Sequence, residues 1–258
     1  MKNSKRQFSR SSVMYIIFGI ALIGIMTLLG ASAFLGVNYF VITGAKIYTT
    51  EQVIEASGVS RGNNLLYLNT NSVAQNIRRE LPYIDTVVIS REFPDTLAIT
   101  VTESVAVAYL IFEGDTVIID SSGRVLERFQ HAPGAGAASS ISELIEIRGV
   151  IVSEASVGIA LKSELGVEQF LSTMQNVLKS MEREGIIDNV NYLDVSNINN
   201  IHFGYQGIYR IIVGGIGDIR LKLSKLPSHI LEIQRKNPNT RGVYNMTGDS
   251  ERYSFTPE

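Results

Sequence analysis

Between Ser11 and Ala45 the chain carries no charged residue, and within that stretch Val13–Val37 (VMYIIFGIALIGIMTLLGASAFLGV) is almost wholly apolar. A helix needs about 20 such residues to cross the hydrocarbon core of a bilayer. Only a helix satisfies every backbone N–H and C=O of one isolated segment in lipid, so Gly19, Gly24, Gly30 and Gly36 do not overturn a helical reading. The sequence therefore predicts a transmembrane helix over 13–37. The four charges that precede Lys46 are Lys2, Lys5, Arg6 and Arg10, all basic. They make a tail over 1–12 that the positive-inside rule keeps in the cytoplasm, with everything after the helix outside. A cleaved signal peptide competes, because Ala31-Ser32-Ala33 fits a small-residue cleavage site, but the apolar region of a signal runs only about 7–15 residues. Both readings export the body.

Of the 23 basic residues, 19 remain beyond that tail against 25 acidic ones, so the exported body carries a charge of −6 and the whole chain −2. This balance gives no footprint for nucleic acid. The absence of cysteine excludes a disulfide framework and any thiolate metal site.

The body opens with an extended run at Phe40–Thr43. In TTEQVIEASG, Thr49 and Gln52 stand at capping-box spacing and Gly58 supplies a left-handed stop, which predicts a short helix. In TNSVAQNIRRELP, Val73, Ile77 and Leu81 recur every four residues until Pro82 forbids continuation. Two strands follow: Val87 and Ile89 alternate on one, and Leu97, Ile99 and Val101 on the next, around a turn at Phe93-Pro94-Asp95. The order is strand, helix, helix, strand, strand.

That order, together with the segments ASGVSRGNNLLYLN, LPYIDTVVISREFPDTLAITVTE and VIIDSSGRVLE behind an anchor, resembles the POTRA-containing FtsQ/DivIB family of bacterial cell-division proteins. The resemblance spans nearly the whole chain. One departure is Ser104-Val105, where such proteins commonly place a basic residue and a proline. The resemblance implies an α+β fold: a POTRA domain (β-α-α-β-β) over 40–103, then a second mixed α/β domain with an antiparallel sheet over 104–258, its last strand near a sheet edge.

Past Glu103 the pattern is a meander (AVAYLIF, then TVIIDSSGRVLERF around a Ser-Ser-Gly turn) and a Gly/Ala/Ser/Pro-rich loop over 130–143. Val167, Phe170, Leu171, Met174, Val177, Leu178 and Met181 then give the strongest helical period in the chain. NVNYLDV, NIHFGY and IYRIIVGG read as strands joined by hairpin turns at Asn199-Asn200 and Gln206-Gly207. A second helix carries Ile219, Leu223, Leu226, Ile230 and Ile233 on one face, a strongly basic polar side over 220–236, and a kink or restart at Pro227. A final hairpin turns at Gly248-Asp249-Ser250.

Catalytic motifs are thin. Gly58-x-Ser60-x-Gly62 matches the nucleophile elbow literally, yet that motif needs a strand before it and here a helix precedes, so it reads as a turn. His131, His202 and His229 lack the spacing of a helical zinc site, and no metal or cofactor is assigned. Gly214-Gly215-x-Gly217 fails the fuller phosphate-loop patterns and reads as a strand-to-helix turn. Glu182 and Glu184 suit a solvated helix face better than an acid–base pair.

What remains is binding. Residues Arg252, Tyr253, Ser254, Phe255 and Thr256 form a terminal strand whose two aromatics share one face while Arg252, Ser254 and Thr256 share the other. Its open edge is expected to accept a strand from another chain, and Ser254→Pro to hinder that by removing an edge donor. The resemblance implies that FtsB/DivIC-like and FtsL-like membrane division proteins dock in this region. It further implies a non-enzymatic divisome scaffold in the cytoplasmic membrane at the septum, which recruits and regulates septal peptidoglycan synthesis without a small-molecule substrate. The alternatives are a POTRA component of protein translocation or secretion and, on the Ser60 motif alone, an exported serine hydrolase.

Overall fold

The computed structural model describes residues 10–130, 141–236, 238, 240–248 and 253–258. The chain divides into two compact units, one of Met1–Arg78 and Thr86–Glu103, the other of Arg79–Asp85 and Ser104–Glu258. Lys2, Lys5 and Arg6 of the expected basic tail lie outside the described residues, as does His131 with most of the expected 130–143 loop.

Helix α1 runs Arg10–Phe34 over 25 residues. Counted over the described residues, which leave out its side chains at 10–13, 25 and 27–33, no helix is long and apolar enough to cross a membrane.

The first unit then follows the expected order. Strand β1 (Tyr39–Thr43) leads to α2 (Thr50–Ser57), α3 (Thr70–Glu80), β2 (Ile84–Glu92) and β3 (Thr96–Glu103). The Thr49 hydroxyl accepts the Gln52 N–H while the Gln52 side chain accepts the Thr49 N–H, closing the capping box at the start of α2. Gly58, at φ 67°, ends the helix in the left-handed conformation that costs other residues a steric clash. The sheet has the order β1-β3-β2, with β1 parallel to β3. Parallel pairing requires a crossover, which α2 and α3 supply. Val53, Val73 and Ile77 of the helices are buried, as are Leu97, Ile99 and Val101 of β3.

In the second unit one sheet of nine strands has the order β14-β13-β12-β11-β10-β7-β4-β5-β6. The strands are β4 (Ala108–Phe112), β5 (Asp115–Ile119), β6 (Val125–Phe129), β7 (Ile145–Arg148), β10 (Val190–Asp194), β11 (Ile201–Tyr205), β12 (Tyr209–Gly214), β13 (Gly242–Asn245) and β14 (Ser254–Pro257). A separate hairpin pairs β8 (Val152–Glu154) with β9 (Lys162–Ser163). Helices α4 (Glu168–Arg183) and α5 (Ile219–Lys236) pack together and share one core with the sheet, in which Met174, Leu178 and Met181 are buried with Phe203, Ile211 and Leu223.

Three expectations need correction. The sheet is mixed rather than antiparallel: β7 runs parallel to β4 and β10, and β13 runs parallel to β12. The cause is again connection length, since α5 carries the chain from β12 back to the start of β13 and returns it in the same direction. The polar side of α5 is also not uniformly basic. Lys222 is buried and its Nζ donates to the Val213 carbonyl at 2.6 Å, so this cation closes the end of β12 instead of facing water. Pro227 sits inside α5, which continues through it as a single helix rather than restarting.

Candidate binding site at the terminal edge strand

Strand β14 ends the nine-stranded sheet, with β13 on one side and, among the described residues, no strand on the other. The register pairs Asn245 with Ser254, Tyr244 with Phe255, Val243 with Thr256 and Gly242 with Pro257. The Glu258 N–H donates to the Arg241 carbonyl at 3.0 Å, which makes Arg241 and Glu258 a hydrogen-bonded pair. Because such pairs alternate along an antiparallel ladder, Thr256 and Ser254 also turn their main-chain groups toward β13, and Phe255 turns its N–H and C=O outward. The Gly242 N–H confirms the phase, since it donates to Ile208 on the far side of β13. Pro257 falls where its missing N–H would have faced outward, so the ladder loses nothing by it. The expected effect of Ser254→Pro is thereby corrected: that substitution removes a donor to β13, and the donor at the open edge is that of Phe255.

The side chains of Ser254 and Thr256 are exposed, whereas Tyr253 and Phe255 are half-buried against the core. Arg252, the fifth residue of the expected site, lies outside the described residues. Phe255 is seated by a close approach. A Cβ on Gly242 would stand 2.5 Å from the Thr256 carbonyl oxygen and 2.6 Å from the Phe255 ring, so only glycine lets the ring cross β13 to reach Tyr209, 6.1 Å away edge to face. Tyr253 belongs to a second aromatic group, with His229 and Tyr244 at centroid distances of 5.9 to 6.3 Å. The Tyr244 hydroxyl meets His229 Nδ1 at 2.6 Å. Burial first, then the Tyr253 hydroxyl and the Glu232 carboxylate, push the Tyr244 phenol up to about 12.

Beside the strand lies an open cavity of about 330 Å³, lined by His229, Glu232, Ile233 and Lys236 of α5 and by Tyr244, Tyr253 and Phe255. Glu232 and Lys236 pair across one turn at 2.7 Å, and the Lys236 ammonium holds the Glu232 carboxyl below its ordinary value. The arrangement offers main-chain hydrogen bonding along one line, an aromatic wall next to it, and one charge of each sign at the rim. Sequence reading found the strand and its two aromatics but missed Gly242, Tyr244 and the contribution of α5. The usable signal was the apolar stripe ending at Ile233, one turn beyond the fully buried Ile230.

The other singled-out residues are brought into no common site. Ser60 is in the loop after α2, its N–H donated to the Asn63 side chain at 2.9 Å. His202 lies on another strand, 3.6 Å from Asp194 and 3.1 Å from an Arg210 nitrogen. Glu182 accepts the Ser121 hydroxyl, and Glu184 pairs with Arg220 at 3.0 Å, so both tie the helix to neighbouring segments.

The β-α-α-β-β unit is a POTRA domain: residues 35–104 match the FtsQ-type POTRA domain profile. The chain is 28% identical over 231 residues to the cell division protein DivIB of Clostridium tetani, covering 89% of this chain and 83% of that protein. Its identity to DivIB of Clostridium acetobutylicum is 28% over 198 residues, or 77% of this chain and 74% of the relative. With the cell division protein FtsQ of Corynebacterium glutamicum it is 29% over 116 residues, 43% of this chain and 51% of the relative. Residues 35–104 thus form an FtsQ-type POTRA domain, and over most of its length the chain is similar to DivIB cell division proteins.

Proposed function

We propose that this protein is a non-enzymatic scaffold of the division machinery, anchored in the cytoplasmic membrane through the part of the expected 13–37 span that is helical, 13–34, with residues 1–12 inside and two domains, 40–103 and 104–258, outside. The anchor reading draws support from α1 itself. Met14, Tyr15, Ile16, Ile17 and Phe18 are consecutive and all exposed, so they cover more than one full turn of about 3.6 residues with apolar side chains that no described residue covers. A helix apolar all round belongs in lipid or in a core, and among the described residues no core encloses this one.

The observation that carries the binding role is the outward N–H and C=O of Phe255 beside the aromatic cavity. A partner segment in extended form adds a tenth strand at β14, places an apolar side chain against Tyr253, Phe255 and Ile233, and meets Glu232 or Lys236 with an opposite charge. The partners are FtsB/DivIC-like and FtsL-like single-span division proteins. Confinement of both chains to one membrane raises their effective concentration, so a short strand suffices for a stable complex. Recruitment to the septum and regulation of septal peptidoglycan synthesis follow from that assembly.

A photocrosslinking residue at Thr256, whose side chain is exposed, tests this in dividing cells carrying a fluorescent fusion of the full chain. Septal fluorescence and crosslinks to single-span division proteins are expected, with a crosslinker at Leu165 as the control. Uniform peripheral fluorescence without such crosslinks would overturn the reading.

A further inference from the structure

We infer that the loop between α2 and α3 is a second membrane contact, in which Leu66 and Tyr67 enter the interfacial layer of the outer leaflet and hold the POTRA domain against the lipid surface. The inference rests on the reading of α1 as a membrane span.

The loop is tied to the base of that helix by the backbone. Directly after Phe34, the Leu35 carbonyl accepts the Leu65 N–H, the Val37 N–H donates to the Asn63 carbonyl, and the Gly62 N–H donates to the Val37 carbonyl, each at 2.8 Å, around a bridge between Gly36 and Asn64. Strands pair at roughly 5 Å and a residue reaches about 3.5 Å, so Tyr67 stands no more than roughly 12 Å from the chain segment that ends α1. At about 1.5 Å per residue, the 25 residues of α1 outrun a hydrocarbon core of about 30 Å by several ångströms. The end of the helix, and the loop fastened to it, therefore lie at headgroup level.

The loop displays apolar groups there without any need of its own fold. Leu65 is fully buried and anchors it, while Leu66 is exposed and Tyr67 is 81% exposed. Their display is fixed by the loop's own bonds: the Asn63 side chain accepts the Ser60 N–H, the Asn64 side chain accepts the Leu66 N–H, and the Asn64 carbonyl accepts the Tyr67 N–H. Arg91 holds the far end by donating to the Leu68 carbonyl at 2.6 Å. Phe34, 79% exposed, and Tyr39, 64% exposed, flank the same junction. Three aromatics and a leucine around the outer end of a span have the composition of an interfacial belt, where an apolar ring with a polar tip is favoured. The exposed Arg61 in the same loop adds a cation suited to lipid phosphate.

The chain has no cysteine, so single cysteines can be introduced cleanly. Full-length protein with a fluorophore at Ser60→Cys, Ile20→Cys or Leu165→Cys is reconstituted in phosphatidylethanolamine/phosphatidylglycerol vesicles containing lipids with a nitroxide at the headgroup or deep in the acyl chain. The Ile20 label should be quenched by the deep nitroxide, the Ser60 label about twofold by the headgroup nitroxide, and the Leu165 label by neither. Leu66→Ser combined with Tyr67→Ser should remove about half or more of the quenching at Ser60 while leaving Ile20 unchanged. If Ile20 is quenched but Ser60 is no more so than Leu165, the inference is overturned and the anchor stands. If Ile20 is not quenched by the deep nitroxide, the anchor reading fails and takes the inference with it. Shielding of Ser60 that appears only when other division proteins are added would replace lipid by protein as the occupant and would likewise overturn it.

Discussion

The two ends of the nine-stranded sheet are finished differently. At the β6 end a strap from Ala155 to Leu161 covers the start of the edge: the Val125 N–H donates to Ile159, the Val125 carbonyl accepts the Gly158 N–H, and the Gly123 carbonyl accepts the Leu161 N–H. Ala155 and Leu161 are buried under it, and Arg128 reaches the Ala155 carbonyl while pairing with Asp115 at 2.7 Å. At the β14 end, among the described residues, no strap follows, and Phe255 leaves a donor and an acceptor unused by the sheet. Proteins close or blunt sheet edges because an open one templates pairing with other chains. The strap covers one edge with seven residues, whereas among the described residues the other is left open beside an aromatic cavity, which is what the proposed strand addition at β14 requires.

The contrast can be broken from either end. The largest effect belongs to Asp120→Ala at the closed end. One Asp120 carboxylate oxygen accepts the Ser122 N–H, the Ser122 hydroxyl and the Arg124 N–H, and the other accepts the Ser104 hydroxyl. Losing this buried hub should cost roughly 3 kcal/mol, read as a lower urea midpoint, and should leave the outward groups of Phe255 in place. At the open end, Gly242→Ala drives a methyl group into the Phe255 ring and the Thr256 carbonyl. It should cost about 2 kcal/mol and loosen β14, seen as faster amide exchange at Thr256 and weaker partner capture, with β6 unaffected.

A smaller effect follows from Tyr244. Its phenol ionises at about 12 in the folded chain against an ordinary 10.0, so the folded state favours the neutral form. The associated stability is complete below pH 10 and is lost as pH rises from 10 toward about 12; phenolate absorbance should show Tyr244 titrating last, after Tyr109 and Tyr205, whose phenols burial also raises, and Tyr244→Phe should abolish that last step. The smallest effect is that of Tyr209→Phe. The Tyr209 hydroxyl is buried with no hydrogen-bond partner among the described residues, so its removal should leave the urea midpoint unchanged or raise stability by less than about 1 kcal/mol.

Local features of both regions were legible in the sequence because their causes are local. The capping box at Thr49 and Gln52, the Gly58 stop, the alternation of Leu97, Ile99 and Val101, and the period from Leu171 to Met181 each act within a few residues. Parallel pairing of β13 with β12 and of β7 with β4 was not legible, since it depends on where a crossover returns the chain. The burial of Lys222 was hidden for a similar reason: its acceptor, the Val213 carbonyl, belongs to a strand that the helical pattern does not describe. At the candidate site, the strand and its aromatic face could be read from alternation, but the phase of the ladder could not. Whether Ser254 or Phe255 turns its N–H outward is set by pairing with Tyr244 and Asn245. Gly242 likewise looks like an ordinary glycine until the Phe255 ring is laid across it.

Amide hydrogen exchange of the full-length protein in lipid, with and without the single-span division proteins proposed as its partners, addresses the open edge most directly. Strand addition at β14 should slow exchange at the Phe255 amide by at least about tenfold on complex formation while the amides of β6 stay as they were. An unchanged Phe255 amide in a complex that demonstrably forms would mean that the partner is held elsewhere and that β14 is not its binding strand.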